Sequence, residues 1–155
     1  MILELADYER APDEVRSTPA DLAAALFADP PLVHAHVAAD ASHADLVGYA
    51  LWYVTYSTWT GRHGIWLEDL YVRPHARQRG VGRALLARLG QECRIREYRR
   101  LEWWVLDWNS PALRFYESLG ARPMTDWTVH RVDGAALARL ASESRTGGRQ
   151  RRHHG

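Results

Sequence analysis

Apolar and polar positions divide the chain into short, regularly punctuated elements. Met1–Tyr8 has apolar residues at 2, 3, 5 and 6, the spacing of one helix face. A polar break over Ala11–Val15 precedes a second helix. There Ser17 or Thr18 can cap, Pro19 suits the first turn, Asp21 complements the helix dipole and Asp29-Pro30-Pro31 stops the run. Leu32–Ala39 and Leu46–Ser57 read as strands joined by a polar turn over Asp40–Asp45. A loop over Thr58–Gly64 leads to a third strand, Ile65–Val72. Val81–Glu97 places Val81, Leu85, Leu86, Leu89 and Cys93 on one helical stripe. After it come a strand over Leu101–Leu106, a helix opened by Asn109-Ser110-Pro111 and stopped by Gly120, and a last strand over Trp127–Val132. A short helix, Gly134–Ala141, and a polar tail finish the chain.

This order predicts a mixed α/β domain with three antiparallel strands, then a strand–helix–strand unit that should be a right-handed parallel crossover. Ligands of open α/β sheets bind at the carboxyl ends of such strands. Residues 1–143 are expected to form a single domain, because no repeat or linker interrupts them, and residues 144–155 a disordered tail. Alternation along Ile65–Val72 sets Glu68 and Asp69 on opposite faces. The seven Trp are expected mostly in the core or an interface, with Trp103 and Trp104 on opposite faces of their strand.

Composition narrows the function classes. The chain has 155 residues, 46% hydrophobic and 25% charged, as in ordinary globular proteins. No window approaches the ~20 apolar residues of a membrane helix and no signal peptide opens the sequence, so cytoplasmic residence without membrane association is expected. Every basic residue among the 20 is Arg. Four of them, Arg145, Arg149, Arg151 and Arg152, lie in the last eleven residues, leaving 16 basic against 19 acidic residues. That mildly acidic body argues against a nucleic-acid partner. The single cysteine, Cys93, excludes an internal disulfide framework and reads as a small core residue. His34 and His36 alternate on one strand face, but no third ligand stands nearby, so no metal is expected.

The stretch EDLYVRPHARQRGVGRALL, Glu68–Leu86, carries the clearest chemistry. A strand ends at Arg73-Pro74, and Arg77-Gln78-Arg79-Gly80-Val81-Gly82 opens a helix. A helix N-terminus presents unpaired N–H groups and partial positive charge. Glycines let an anion approach, and Arg77, Arg79 and Arg83 add charge, making a candidate pyrophosphate cradle. A P-loop would need a Lys, which the chain lacks, and a dinucleotide fingerprint a third glycine. Glu68 and Asp69 are adjacent acids in an apolar strand, costly to bury without a purpose.

The Arg/Gln-x-x-Gly-x-Gly spacing of Arg77, Gly80 and Gly82 resembles the coenzyme A loop of the GNAT N-acetyltransferases. VLDWNSPALRFYESLGA (105–121) is similar to that family's second coenzyme A segment. Within the family the chain resembles the diamine (spermidine/spermine) and thialysine acetyltransferases through ELADYE (4–9), LVGYALWYVTYSTWTG (46–61), WLEDLYV (66–72), RGVG (79–82), LDWN (106–109), FYESLGA (115–121) and W-x-x-x-R-V-D (127–133). The resemblance implies the GNAT fold, acetyl-CoA as cosubstrate, a small amine as second substrate and a homodimer. The family's first strand has no counterpart here, because Met1 aligns inside the first helix. The start therefore lies upstream or the edge strand is missing. The acidic residue that polyamine-specific members carry ahead of the Trp is also absent at Ser57-Thr58.

The roles implied follow the motifs. Tyr116 is the candidate acid that protonates the leaving thiolate, its alternative being a core phenol. Glu68 is the candidate base, acting through water, its alternative a solvent-facing edge carboxylate. Tyr8, Glu9, Trp59 and Asp69 are candidates for the amine site, since carboxylates and aromatic faces favour a cation. Backbone N–H groups of Leu70, Tyr71 and Val72 are expected to hold the pantetheine arm and supply the oxyanion donor, a place where bulges often re-aim a strand. Arg77, Gln78, Arg79, Gly80, Val81, Gly82 and Arg83 are assigned to the pyrophosphate. Asn109, Ala112 and Phe115 are assigned to the rest of the cofactor, with Asn109 also fit for a plain helix cap and Phe115 for packing. Rival readings are a non-catalytic acyl-CoA-binding regulator and an acetyltransferase of protein termini or aminoglycosides.

Overall fold

The computed structural model describes residues 1–42 and 44–146, and contacts divide it into two units, Met1–Leu106 and a second from Asp107 onward. The first begins with helix α1 (Ile2–Tyr8), a turn of 3-10 helix over Pro12–Glu14 and helix α2 (Pro19–Leu26). Thr18 caps α2 as the sequence suggests: its hydroxyl accepts from the Asp21 N–H, and the Asp21 carboxylate accepts from the Thr18 N–H at 2.8 Å. Strands β1 (His34–Ala39), β2 (Leu46–Ser57), β3 (Arg62–Val72) and β4 (Leu101–Glu102) form one sheet in sequence order. The first three pair antiparallel, and helix α3 (Val81–Ile95) connects β3 to a parallel β4.

Pairing register sorts the side chains onto two faces. Trp52, Ile65 and Leu67 lie on one, which α3 covers with Leu85, Leu86 and Leu89. Ile65 and Leu89 are fully buried. Tyr49, Leu51 and Tyr71 lie on the other, packed against Met1, Ile2 and Leu5 of the α1 region, Leu22 of α2 and Val33. The Arg73 guanidinium fixes α1 to the end of β3 by a bidentate pair with Glu4, at 2.9 and 3.1 Å.

The alternating pattern overestimates two strands. β4 stops at Glu102, so Trp103–Leu106 continues without a ladder. Trp127–Val132 is not a strand at all: it has β-forming residues but no pairing partner among the described residues, and Trp127 is 67% exposed. Of the seven Trp only Trp52 is buried, while Trp59, Trp104, Trp108 and Trp127 are exposed. Conversely, β3 begins three residues earlier than the pattern implied, shortening the loop before it. In the second unit, helix α4 (Ser110–Glu117) is capped by Asn109, and helix α5 runs Gly134–Thr146, beyond the expected Ala141. Of the tail expected over residues 144–155, residues 144–146 belong to α5, and the rest lies outside the described residues.

A histidine pair marks the α3 side. His34 stacks on Trp52 at 4.3 Å, and His36 Nδ1 accepts the Trp52 indole N–H at 3.1 Å. Burial holds both imidazoles below their ordinary range, and Glu92 near His36 Nε2 only partly opposes this. A lowered folded value means that their stabilisation is complete above the ordinary 6.5 and is lost as pH falls through the folded value. Thermal melts should therefore show stability declining as pH drops below about 6.5, and His36→Gln should flatten part of that decline.

Candidate active site

One backbone irregularity organises the site. Along β2 and β3 the pairing runs Leu51 with Asp69 and then Trp52 with Leu67, leaving Glu68 as an extra residue. This β-bulge changes the phase of β3. Trp66 and Asp69 both come to lie on the face of Tyr49, Leu51 and Tyr53, although they are three positions apart, an odd spacing. The opposite placement expected for Glu68 and Asp69 is thereby overturned: Glu68 Oε2 accepts the Trp66 indole N–H at 3.0 Å, and Asp69 Oδ2 accepts the Tyr49 hydroxyl at 3.0 Å.

The surroundings are acidic and aromatic. Trp66 is held edge-on to Trp104 at 4.9 Å and beside Tyr53 at 6.5 Å. Burial raises the Asp69 carboxyl above the usual carboxylate range; the Tyr49 hydroxyl lowers it and the Glu68 charge raises it further. Glu9, the C-cap of α1, is raised by its own burial and then by Asp69. Burial and the carboxylates Asp69 and Glu9 push the Tyr49 phenol far up, so it stays a donor. Three carboxylates on two elements thus approach one another among aromatic rings, a setting that favours a cation.

The cradle follows on the same strand. Past Trp66, residues 67–72 of β3 have no sheet partner on the β4 side among the described residues. After Pro74–Ala76, a single 3-10 turn, Gln78 and Gly80 take left-handed conformations with φ of 60° and 82°. Gly80 is the N-cap of α3, no side chain among the described residues caps that end, and a Cβ at Gly80 would meet none of their atoms within 4 Å. The left-handed turn explains the glycine, and the open space lets an anion reach the first-turn N–H groups of Val81, Gly82 and Arg83. Arg77 folds back, its Nε donating to the Val72 carbonyl at 2.8 Å and its guanidinium lying 5.0 Å from the Tyr8 ring and 5.6 Å from the Tyr71 ring.

The structure therefore gathers Glu9, Glu68 and Asp69, and the Arg77 guanidinium lies over the Tyr8 ring. Trp59 stands exposed in the loop of the β2–β3 hairpin. In the second unit, Asn109 is buried and its Oδ1 accepts the Ala112 N–H at 3.3 Å, while Phe115 and Tyr116 lie ring to ring at 5.3 Å on α4. Sequence reasoning missed Tyr49, Tyr53 and Trp66. Their odd–even spacing was visible, but their convergence depends on the bulge register. Among the described residues no group of three or more His, Cys, Asp or Glu could hold a metal ion, and no helix is long and apolar enough to cross a membrane.

A glycine-gated helix start beside an unpaired strand edge suits transfer of a group carried on a phosphate-bearing handle, and comparison with known proteins gives that class a name. The model of the acetyltransferase (GNAT) family matches residues 2–121, and the chain belongs to this family. It is 37% identical over 152 residues to thialysine N-epsilon-acetyltransferase of Sus scrofa, spanning 92% of this chain and 89% of that one. It is 36% identical over 146 residues to the Caenorhabditis elegans enzyme of the same name, spanning 92% and 88%. Among solved structures, an integron cassette protein from the mobile metagenome of V. cholerae has a TM-score of 0.74 at 26% identity, covering 90% of this chain and 86% of that one. The protein is thus an N-acetyltransferase, and the cosubstrate of its family is acetyl-CoA.

Because Asp69 holds its proton to higher pH when folded, its contribution to stability is present below the ordinary 3.8 and is lost as pH rises through the folded value. Asp69→Asn should therefore melt at a higher temperature than the wild type at pH 7, with the difference closing as pH approaches 3.8 in a series of thermal melts.

Proposed function

We propose that this chain transfers an acetyl group directly to the primary amine of a small molecule: a diamine, a polyamine or a lysine-like amino acid such as thialysine. The observation that carries the reading is the carboxylate set on and beside the strand that leads into the Gly80 loop: the bulge turns Asp69 to Tyr49 and leaves Glu68 on the Trp66 indole, and the end of α1 brings Glu9 near Asp69. Relatives that act on thialysine and, by their name, on L-ornithine N5 support an ω-amine flanked by a second charged group. The reading takes residues 1–143 as one catalytic domain acting as a cytoplasmic homodimer, with the resemblance to the diamine group as its support.

Acetyl-CoA supplies the activated acetyl thioester. The residues present suit it: the first turn of α3 would hold the pyrophosphate, with Gly80 and Gly82 giving access and Arg79 and Arg83 charge. The open edge of β3 at Leu70, Tyr71 and Val72 would take the pantetheine arm and supply N–H donors where negative charge develops on oxygen. The family resemblance assigns Asn109, Ala112 and Phe115 to the same cosubstrate. Glu68, with Oε2 held by Trp66, takes the proton of the amine through water, because only the neutral amine is a nucleophile. Asp69 and Glu9 attract and orient the cation before it loses that proton. Tyr116 is, by the family resemblance, the acid that would give a proton to the departing sulfur.

Tyr116→Phe should lower kcat by roughly 10²–10⁴-fold, the usual worth of a placed acid, with acetyl-CoA affinity nearly kept, as read by thiol release and by calorimetric titration. Normal turnover would remove Tyr116 from the acid role. Gly80→Asp should weaken acetyl-CoA binding at least tenfold, whereas Gly80→Asn, which tolerates the left-handed turn, should retain more of it. The panel for turnover is thialysine, L-lysine, L-ornithine, putrescine and spermidine side by side. Turnover with none of them would reject the small-amine reading.

A further inference from the structure

Tyr49 was not among the candidate site residues, yet its hydroxyl donates to the most desolvated acid of the site. The phenol is buried under α1, in the cluster with Leu51 and Tyr71 that Met1, Ile2 and Leu5 close over. Its ring therefore has no freedom to follow the substrate. Its oxygen reaches Asp69 across the β2–β3 ladder because the bulge at Glu68 turns Asp69 onto the Tyr49 face. Without the bulge the two side chains would point to opposite sides of the sheet.

We propose that Tyr49 is a positioning residue for substrate recognition: its hydroxyl fixes Asp69 Oδ2 and keeps that side chain a carboxylate, leaving the other oxygen to grip the cationic nitrogen of the amine. This deepens the amine reading above and rests on it. Asp69 needs such help because two acids crowd it, Glu68 next in the chain and Glu9 from the end of α1, and because burial favours its neutral form. A neutral Asp69 would donate rather than accept and would lose its attraction for an ammonium group. Tyr49 suits the task because the same environment forbids its own ionisation, so its proton stays in the hydrogen bond at any working pH. The role differs from that of Trp66, which holds Glu68, where the amine gives up its proton. One donor holds the acid that binds and another holds the acid that reacts.

The test is steady-state kinetics of the full chain with the best amine of the panel, comparing wild type, Tyr49→Phe, Asp69→Asn and the double variant. Tyr49→Phe should raise the amine KM roughly tenfold or more, the factor of one hydrogen bond to a charged group, with kcat changed far less and the acetyl-CoA KM unmoved. The double variant should be no worse than Asp69→Asn alone, because the two act as one unit. A Tyr49→Phe enzyme with an unchanged amine KM, or one that loses kcat and acetyl-CoA affinity in step, overturns the assignment. So do additive effects in the double variant. Should Tyr49→Phe fail to fold, Asp69→Asn carries the decision, since an unchanged amine KM there removes the anchor that Tyr49 would serve. Absence of turnover by the wild type on every amine overturns the amine reading itself, whereas turnover with an indifferent Tyr49→Phe overturns only this inference.

Discussion

The extra residue in β3 is the constraint from which the site follows. A strand that alternates strictly presents every second side chain to one face, so adjacent acids must part. Inserting Glu68 between the pairs Leu51–Asp69 and Trp52–Leu67 lets the strand change phase while its ladder to β2 continues on both sides. Ile65 and Leu67 remain under α3, as the core requires, and two residues later Asp69 and Tyr71 face α1. The apolar core and the acidic cluster are served by one strand because the bulge divides the labour along its length.

The site is also tied to how α1 sits. Packing of Met1, Ile2 and Leu5 on Tyr49, Leu51 and Tyr71, with the Glu4–Arg73 pair at the far end of β3, delivers Glu9 from the helix C-terminus towards Asp69. The same packing desolvates these acids. Charge that would be cheap at the surface becomes costly here, so the site lowers the stability of the fold in exchange for affinity for a cation. Tyr49 moderates that cost by satisfying one oxygen of Asp69, whereas Glu68 stays exposed, held by the Trp66 indole N–H.

The cofactor side depends on a different device. The ladder between β3 and β4 ends after two pairs, so the remaining edge of β3 keeps backbone groups that the sheet does not use. Directly beyond it, left-handed turns at Gln78 and Gly80 bring the chain into α3 with its first N–H groups uncapped. Strand edge and helix start are consecutive in sequence, so both halves of a long, phosphate-bearing cosubstrate can be met by about fifteen residues.

The sequence alone determined the elements whose signals are local. Thr18-Pro19 with Asp21 marks α2, the stripe of Leu85, Leu86 and Leu89 marks α3, and Asn109-Ser110-Pro111 marks α4. The glycine loop and the family resemblance are equally local, because motifs survive as contiguous residues. What remained hidden depends on partners distant in the chain. Trp127–Val132 and Trp103–Leu106 have strand composition, but a strand exists only where another strand pairs with it, and propensity does not say where pairing stops. The gathering of Tyr49, Asp69 and Glu9, 20 residues apart at the first pair and further at the second, was likewise illegible. One bulged residue reverses the facing of all that follow it, and a bulge is set by the register of two strands together, which only the tertiary structure decides.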